Sequence, residues 1–456
     1  MKKLGILCAS LFLAAGLSAQ GTFVTHLWVD GVNGSDTNPG TKAKPFKTLT
    51  KGLTTLKSNV VVHVLPAVYG PQTTGDFYDP ATKKSKHVDL LNCKNFKVVG
   101  TDRDKCIIDF NNLGNQFWSF IWVRGSATDG VEVTNLTFRN TGTKSWGTGP
   151  VHTHGGCGKN VDIHGNVYID CNSAFIAWAG TNVAFHDNVV ISTKKGTGVA
   201  VRIRIGKATE SCYIYNNVFY QQGHGISWSN SSKAPKQWIC NNIVLNGSTG
   251  FPGSKPNATF VTMKNNISFG NTTNYAYTPD PSNLTVDPKL VNPAKYDFRQ
   301  QTGSPCLDGG YPMGLAHMAN DFYGNARVAD GDLNGVSVPD IGVHEVVQAT
   351  LSVSNFAQGQ TATFQTQKLV NAGFAGVIFL ASGKDTFVAS PFGIFSLDIT
   401  KLAVYGLITF PGQYKLPIPT STALNGLVLY SQALGFRPQT GGGFVFMPTG
   451  RLDLYL

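Results

Sequence analysis

One asparagine recurs through the middle of the chain, each time ahead of apolar residues: HGNVYI, HDNVVI, YNNVFY, CNNIVL and KNNISF. The copies centre on Asn166, Asn188, Asn217, Asn242 and Asn266, at steps of 22, 29, 25 and 24 residues, and Asn135 in VEVTNLTF reads as an earlier member. A pattern restated at this period describes a coil too small to bury its own apolar side. Stacking coil on coil buries it, which makes the chain a solenoid.

The columns of the repeat specify the coil. One position after the asparagine stand Val167, Val189, Val218, Ile243 and Ile267, and three after it Ile169, Ile191, Tyr220, Leu245 and Phe269. Three before it stand Ile163, Phe185, Ile214, Ile239 and Met263. Alternation at period two predicts that all three columns point inward from short strands and line one continuous core. The asparagine falls between two strands, where the chain turns. Its tolerance of left-handed backbone suits a corner, and its amide can donate and accept between stacked coils. Irregular repeat length predicts a right-handed parallel β-helix, whose loops vary while its strands stay in register. Near the start, Phe46, Leu49, Leu53 and Leu56 share one face of a helix beginning near Pro45, which would cap the open end of the solenoid.

Two segments resemble a known group. LWVDGVNGSDTNPGTKAKPFKTLTKGL, Leu27 to Leu53, is similar to the opening motif of secreted pectate-lyase-like β-helix proteins of bacteria. VDPKLVNPAKYDFRQQTGSPCLDGG, followed by DFYGNARVADGDLNGVSVPDIGVHE ending at Glu345, resembles the closing motif of the same group. The resemblance implies the fold more than the activity, because the group holds lyases, hydrolases, epimerases and proteins without known activity.

Composition agrees with an exported all-β protein. Glycine is frequent at 51 residues and charged residues make up only 14%. MKKLGILCASLFLAAGLSAQ reads as a secretory signal cut after Ala19, and no later stretch has the length of a membrane span. Domains are therefore expected at 1–19 (signal), 20–346 (β-helix) and 347–456. The last has short apolar runs broken by Gly and Pro and no asparagine repeat, as in a small β-sandwich. Within it, Lys415 to Phe436 is similar to a C-terminal module of exported bacterial surface proteins. Seven cysteines remain after cleavage, without a CxxC pair. They read as buried small hydrophobes, with a Cys93–Cys106 disulfide open to an oxidising compartment. The formal charge of +11, or +9 without Lys2 and Lys3, points to a polyanionic partner. For an exported, monomeric chain at the cell surface or beyond, that partner is an acidic polysaccharide rather than nucleic acid.

The strands after each corner carry the candidate chemistry. In GVAVRIRIG, alternation sends Arg202 and Arg204 outward, and in VHTHGG it sends out His152 and His154. Phe175 or Trp178 lies on the coil between them, and His224 and Trp228 on the next. Arginine forks hold carboxylates and aromatic faces hold sugar rings. Cleaving a uronate chain by β-elimination needs a cation at the carboxylate, a base for the C5 proton and an acid for the leaving oxygen. The expected roles are Arg202 and Arg204 at the carboxylate, and His152, His154 or His224 at the proton, with Lys194 or Lys195 as alternative bases. Phe175, Trp178 and Trp228 are expected against the sugars. A non-catalytic glycan-binding protein is the competing reading. Hydrolysis ranks third: Gly223-His224-Gly225 and Arg202-Ile203-Arg204 resemble polygalacturonase segments, but in reversed order and without paired aspartates. His164 and His186, stacked on a separate column with Tyr215, Cys240 and Lys264, read as structural. Asp330, Asp332 and Asn334 start a calcium-loop pattern, with Asp340 or Glu345 to complete the shell.

Overall fold

The computed structural model describes residues 24–347, except 80–83, 86, 112–118, 143–148, 229–234, 314–319, 330 and 332–336, and, from 349 to 455, the strands and some of the turns between them. The chain divides into two compact units, one of Thr25–Pro305 with Ile341–Val343, the other containing Cys306–Asp340 and the chain from His344 onward.

The first unit is a right-handed parallel β-helix. Three parallel sheets of nine, eight and eight strands run its length, and the chain visits them in rotation. One coil illustrates the order: Lys159–His164 in the first sheet, Val167–Cys171 in the second, Phe175–Ala177 in the third. The first turn of chain is closed by a short helix, Leu49–Thr55, capped by the Thr48 side chain on Lys51 N–H. Leu49 and Leu53 are fully buried, whereas Phe46 lies ahead of the helix in a bridge to Val29. The buried Asp76 carboxylate takes the Leu49 and Thr50 amides at 3.0 and 2.8 Å and so satisfies the first helical turn.

The recurring asparagines form a buried ladder at the corner between the first and second sheets. Each main-chain N–H donates to the amide oxygen of the next coil: Asn166 to Asn188 at 3.0 Å, Asn188 to Asn217 at 3.0 Å, Asn217 to Asn242 at 3.2 Å and Asn242 to Asn266 at 3.0 Å. Asn283 extends the series by one rung. Two details differ from the sequence expectation. The left-handed residue is the one before the ladder position, namely Asn135, Gly165, Asp187, Asn216, Asn241 and Asn265, with φ between 50° and 64°. Asn135 accordingly belongs to that column, and Leu136 occupies the ladder position on its coil, donating to Asn166 Oδ1.

The apolar columns also divide differently. Ile163, Phe185, Ile214, Ile239 and Met263 face the core as expected. In the second sheet, however, the core is lined by the residue two after each asparagine: Tyr168, Val190, Phe219 and Val244. The neighbours at plus one and plus three therefore point outward, yet Val218, Ile243 and Ile267 are at most 1% exposed. Later segments of the same unit cover them. Leu284 bridges to Ile267, Phe298 packs on Tyr220, and Gly342 sits close against Ile243. A strand buried on both faces reads as an unbroken apolar run, as VVI, VFY and IVL do.

A second corner, missed in the sequence, runs along the start of the first sheet. Asn59, Asn95, Gly130, Asn160 and Asn182 all have positive φ. Their amides link coils as well, Asn95 to Asn59 at 3.0 Å and Asn182 to Asn160 at 2.8 Å.

The other unit contains antiparallel sheets. Thr361–Lys368 pairs with Ala349–Ser354 and Gly412–Pro417, and Phe374–Ala381 pairs with Leu402–Phe410 and Val428–Pro438. The closing motif forms a buried polar knot there. Arg327 is fully buried against Glu345 at 3.2 Å, and Glu345 also takes the amides of Ala329 and Asp340 at 2.8 and 2.9 Å.

Candidate functional site

The third sheet carries the residues singled out above. Its register aligns Val151, Phe175, Val201 and Ile226 on one line, all buried in the core. The next line outward is Trp122, His152, Ile176, Arg202 and Ser227. Two residues further along the strands lie Arg124 and His154, with Trp178 and Arg204 following the paired Ala177 and Ile203. Arg202 and Arg204 therefore point outward together, as the alternation in GVAVRIRIG predicts.

Both arginines are half-buried. Arg202 Nε donates to Ser173 Oγ at 3.1 Å, and Arg204 donates to Ser227 Oγ at 3.2 Å and to the Ile203 carbonyl at 3.0 Å. Among the described residues no carboxylate pairs with either. Burial, and for Arg202 the neighbouring Arg204 charge, weakens the hold of each guanidinium on its proton. Both guanidinium groups stay charged at any ordinary pH and form two adjacent cations on this face. His224 stands on the following coil, exposed, its pKa lowered by partial burial and then by the charge of Arg202. It is neutral at neutral pH and free to take a proton.

Other candidates fall elsewhere. Phe175 is fully buried and stacks on Phe185 with ring centroids 5.2 Å apart, so it belongs to the core and not to a binding face. Trp228 follows Ser227 onto the inward line of Ile203. It is 8% exposed and packs edge-on against Tyr277. His152 points outward but is only 1% exposed, since Trp178 stacks over it at 5.5 Å and Trp122 meets its edge at 6.1 Å. Burial, and then His154, pushes its pKa down to about 3. A sealed, neutral imidazole does not exchange protons with a bound polymer. Lys194 and Lys195 are exposed on the turn leading into Thr197–Ile203, at the opposite end of that strand from Arg202 and Arg204. His154 and Trp178 remain on the outer face, with Trp178 43% exposed.

The sequence reading missed three members of this face. Trp122 and Arg124 alternate outward in SFIWVR as the histidines do in VHTHGG. Asp89 lies one coil earlier and holds Arg124 through two bonds of 2.6 and 3.0 Å. The same alternation rule would have found all three.

The first sheet bears a separate polar column. His164 and His186 stack at 4.9 Å, and Tyr215 stacks on His186 at 4.6 Å, as the structural reading expects. His186 is clamped between Asp162 and Asp187, each at 2.8 Å. Burial opposes its charge, but the two carboxylates prevail and raise its pKa to about 9.

The calcium-loop residues Asp330, Asp332 and Asn334 lie outside the described residues. Asp340 is buried and its carboxylate accepts the amides of Asp308 and Val346 at 2.7 and 2.8 Å. Asp340 and Glu345 thus have carboxylate oxygens engaged with backbone donors. Among the described residues no group of three or more His, Cys, Asp or Glu is placed to hold a metal ion. Cys93 and Cys106 are both buried free thiols, so the pairing left open by the sequence is not made. Among the described residues no helix is long and apolar enough to cross a membrane.

Fold and site together define a parallel β-helix with a basic, aromatic-edged outer face on its third sheet. Residues 32–88 match a family described as a protein of unknown function, DUF1565. No curated protein matches the chain. Among solved structures it is similar to a rhamnogalacturonan lyase, with a TM-score of 0.36 and 14% identity, covering 54% of this chain and 74% of that one. It is also similar to pectate lyase Pel9A, with a TM-score of 0.35 and 14% identity over 71% of this chain and 97% of that one.

Proposed function

We propose that the protein is exported, acts as a monomer, and binds an acidic polysaccharide on the outer face of the third sheet, cleaving it by β-elimination. The single observation that carries this reading is the Arg202–Arg204 pair, two half-buried guanidinium groups with no carboxylate partner among the described residues. Such a pair suits a uronate carboxylate, which it would neutralise, making the neighbouring C5 proton more acidic. A base then takes that proton, the C4–C5 double bond forms, the C4–O bond breaks, and the leaving oxygen is protonated by an acid. His224, neutral and in reach of the Arg202 field, supports the role of base, and His154 or water that of acid. A two-carboxyl hydrolysis would need a pair of carboxyl groups across the scissile bond, which the arginines do not supply.

Incubation with polyuronates, followed through the ultraviolet absorbance of the new double bond, tests the proposal. Absorbance is expected to rise with the wild-type chain and to stay flat with Arg202→Ala/Arg204→Ala. Turnover unchanged in that double variant overturns the site. Binding without new absorbance or new reducing ends makes the protein a glycan-binding module instead.

A further inference from the structure

The arginine pair belongs to a longer outward line. Along the third sheet, Arg124, His154, Trp178 and Arg204 succeed one another coil by coil. Adjacent coils lie about 4.8 Å apart, close to the length of one sugar residue in an extended chain. Charge is not spread evenly along this line. Arg202 and Arg204 have no acidic partner among the described residues, whereas Arg124 is matched by Asp89 at 2.6 Å. Between these two places the face is made of rings. His154 meets Trp178 edge-on at 5.3 Å and Trp122 at 5.1 Å, and Trp178 is 43% exposed.

Resting on the reading of Arg202 and Arg204 as the uronate anchor, the geometry points to a heteropolymer specificity: the site takes a chain in which a charged sugar alternates with an uncharged one, the charged unit at the arginines and the uncharged ring at Trp178. A carboxylate carried on the sugar next to the anchored one would lie over the Trp178 indole, where it loses water and has no guanidinium opposite it. An uncharged ring in the same place covers the exposed indole with its C–H face and loses little. Two coils beyond Trp178, the Arg124–Asp89 pair is already neutral and attracts a carboxylate only weakly.

Calorimetric titration with length-matched oligosaccharides tests this, using an oligogalacturonate, an oligosaccharide alternating uronate with a neutral sugar, and a neutral oligosaccharide. The alternating ligand is expected to bind the wild-type chain roughly tenfold more tightly than the oligogalacturonate. Trp178→Ala should erase that preference by weakening the alternating ligand alone, and Trp178→Phe should keep most of it. Melting curves of the variants show whether the fold survives, and the conservative Phe variant carries the test if Ala unfolds the coil. An oligogalacturonate that binds as tightly as the alternating ligand, or a Trp178→Ala loss shared equally by both, overturns the specificity while leaving the anchor intact. If neither acidic ligand responds to Arg202→Ala/Arg204→Ala, the anchor itself is wrong and the specificity falls with it.

Discussion

Asn217 shows how much one buried side chain does in a stacked coil. Its amide donates to the carbonyls of Phe185 and Tyr215 and to Asn242, while its oxygen accepts the main-chain N–H of Asn188. Alanine there strands several buried groups at once, each costing about 1–3 kcal/mol. Asn217→Ala is expected to destabilise the β-helix on the order of 3–5 kcal/mol, read as a lowered denaturation midpoint with no local rescue. His186 makes a different kind of demand, because its stabilisation depends on pH. Its pKa rises from 6.5 to about 9 on folding, so the contribution is complete below 6.5 and is lost as pH climbs through about 9. Melting temperatures measured from pH 6 to pH 10 should fall more steeply for the wild-type chain than for His186→Gln. Parallel curves would show that the Asp162–His186–Asp187 clamp holds no proton of consequence.

At the level of strands, the second sheet is the part that alternation misjudges. Period-two reasoning places a residue on one face only by assuming that the other face meets water. In Val218–Tyr220 and Ile243–Leu245 both faces are covered, and every residue is apolar. The asparagine ladder was legible because its spacing survives loop variation, and the inward column before it was legible because polar neighbours mark it off. The left-handed position beside the ladder was not, because Asn, Asp and Gly share it and the ladder is itself asparagine. Ile243 tests the corrected assignment. Although it points away from the solenoid core, Ile243→Ala should cost about 2–5 kcal/mol, as a core truncation does. A loss below about 0.5 kcal/mol, the scale of an exposed site, would mean that Leu284, Phe298 and Gly342 do not seal that face.

For the molecule as a whole, stacking turns distant sequence into neighbouring chemistry. Arg202 and Arg204 were legible from one alternating strand, because outward polar residues interrupt apolar ones there, whereas His224 stands opposite Val199 on the phase of Ile226 and Trp228 and is exposed all the same. Phe175 and Trp228 were misplaced because an aromatic residue gives no sign of its face when its neighbours are also apolar. His152 was misplaced for another reason: it does point outward, but Trp122 and Trp178 close over it, and no local sequence signal reports a lid made by adjacent coils. What remains is a basic spot on a long sheet, and its value depends on facing a ligand. A crystal structure of the chain with a bound oligouronate tests that most directly. A sugar carboxylate is expected within hydrogen-bonding distance of both the Arg202 and Arg204 guanidinium groups, with a pyranose ring against Trp178. A ligand bound on the first sheet, or lying across the third sheet with its carboxylates away from both arginines, would contradict it.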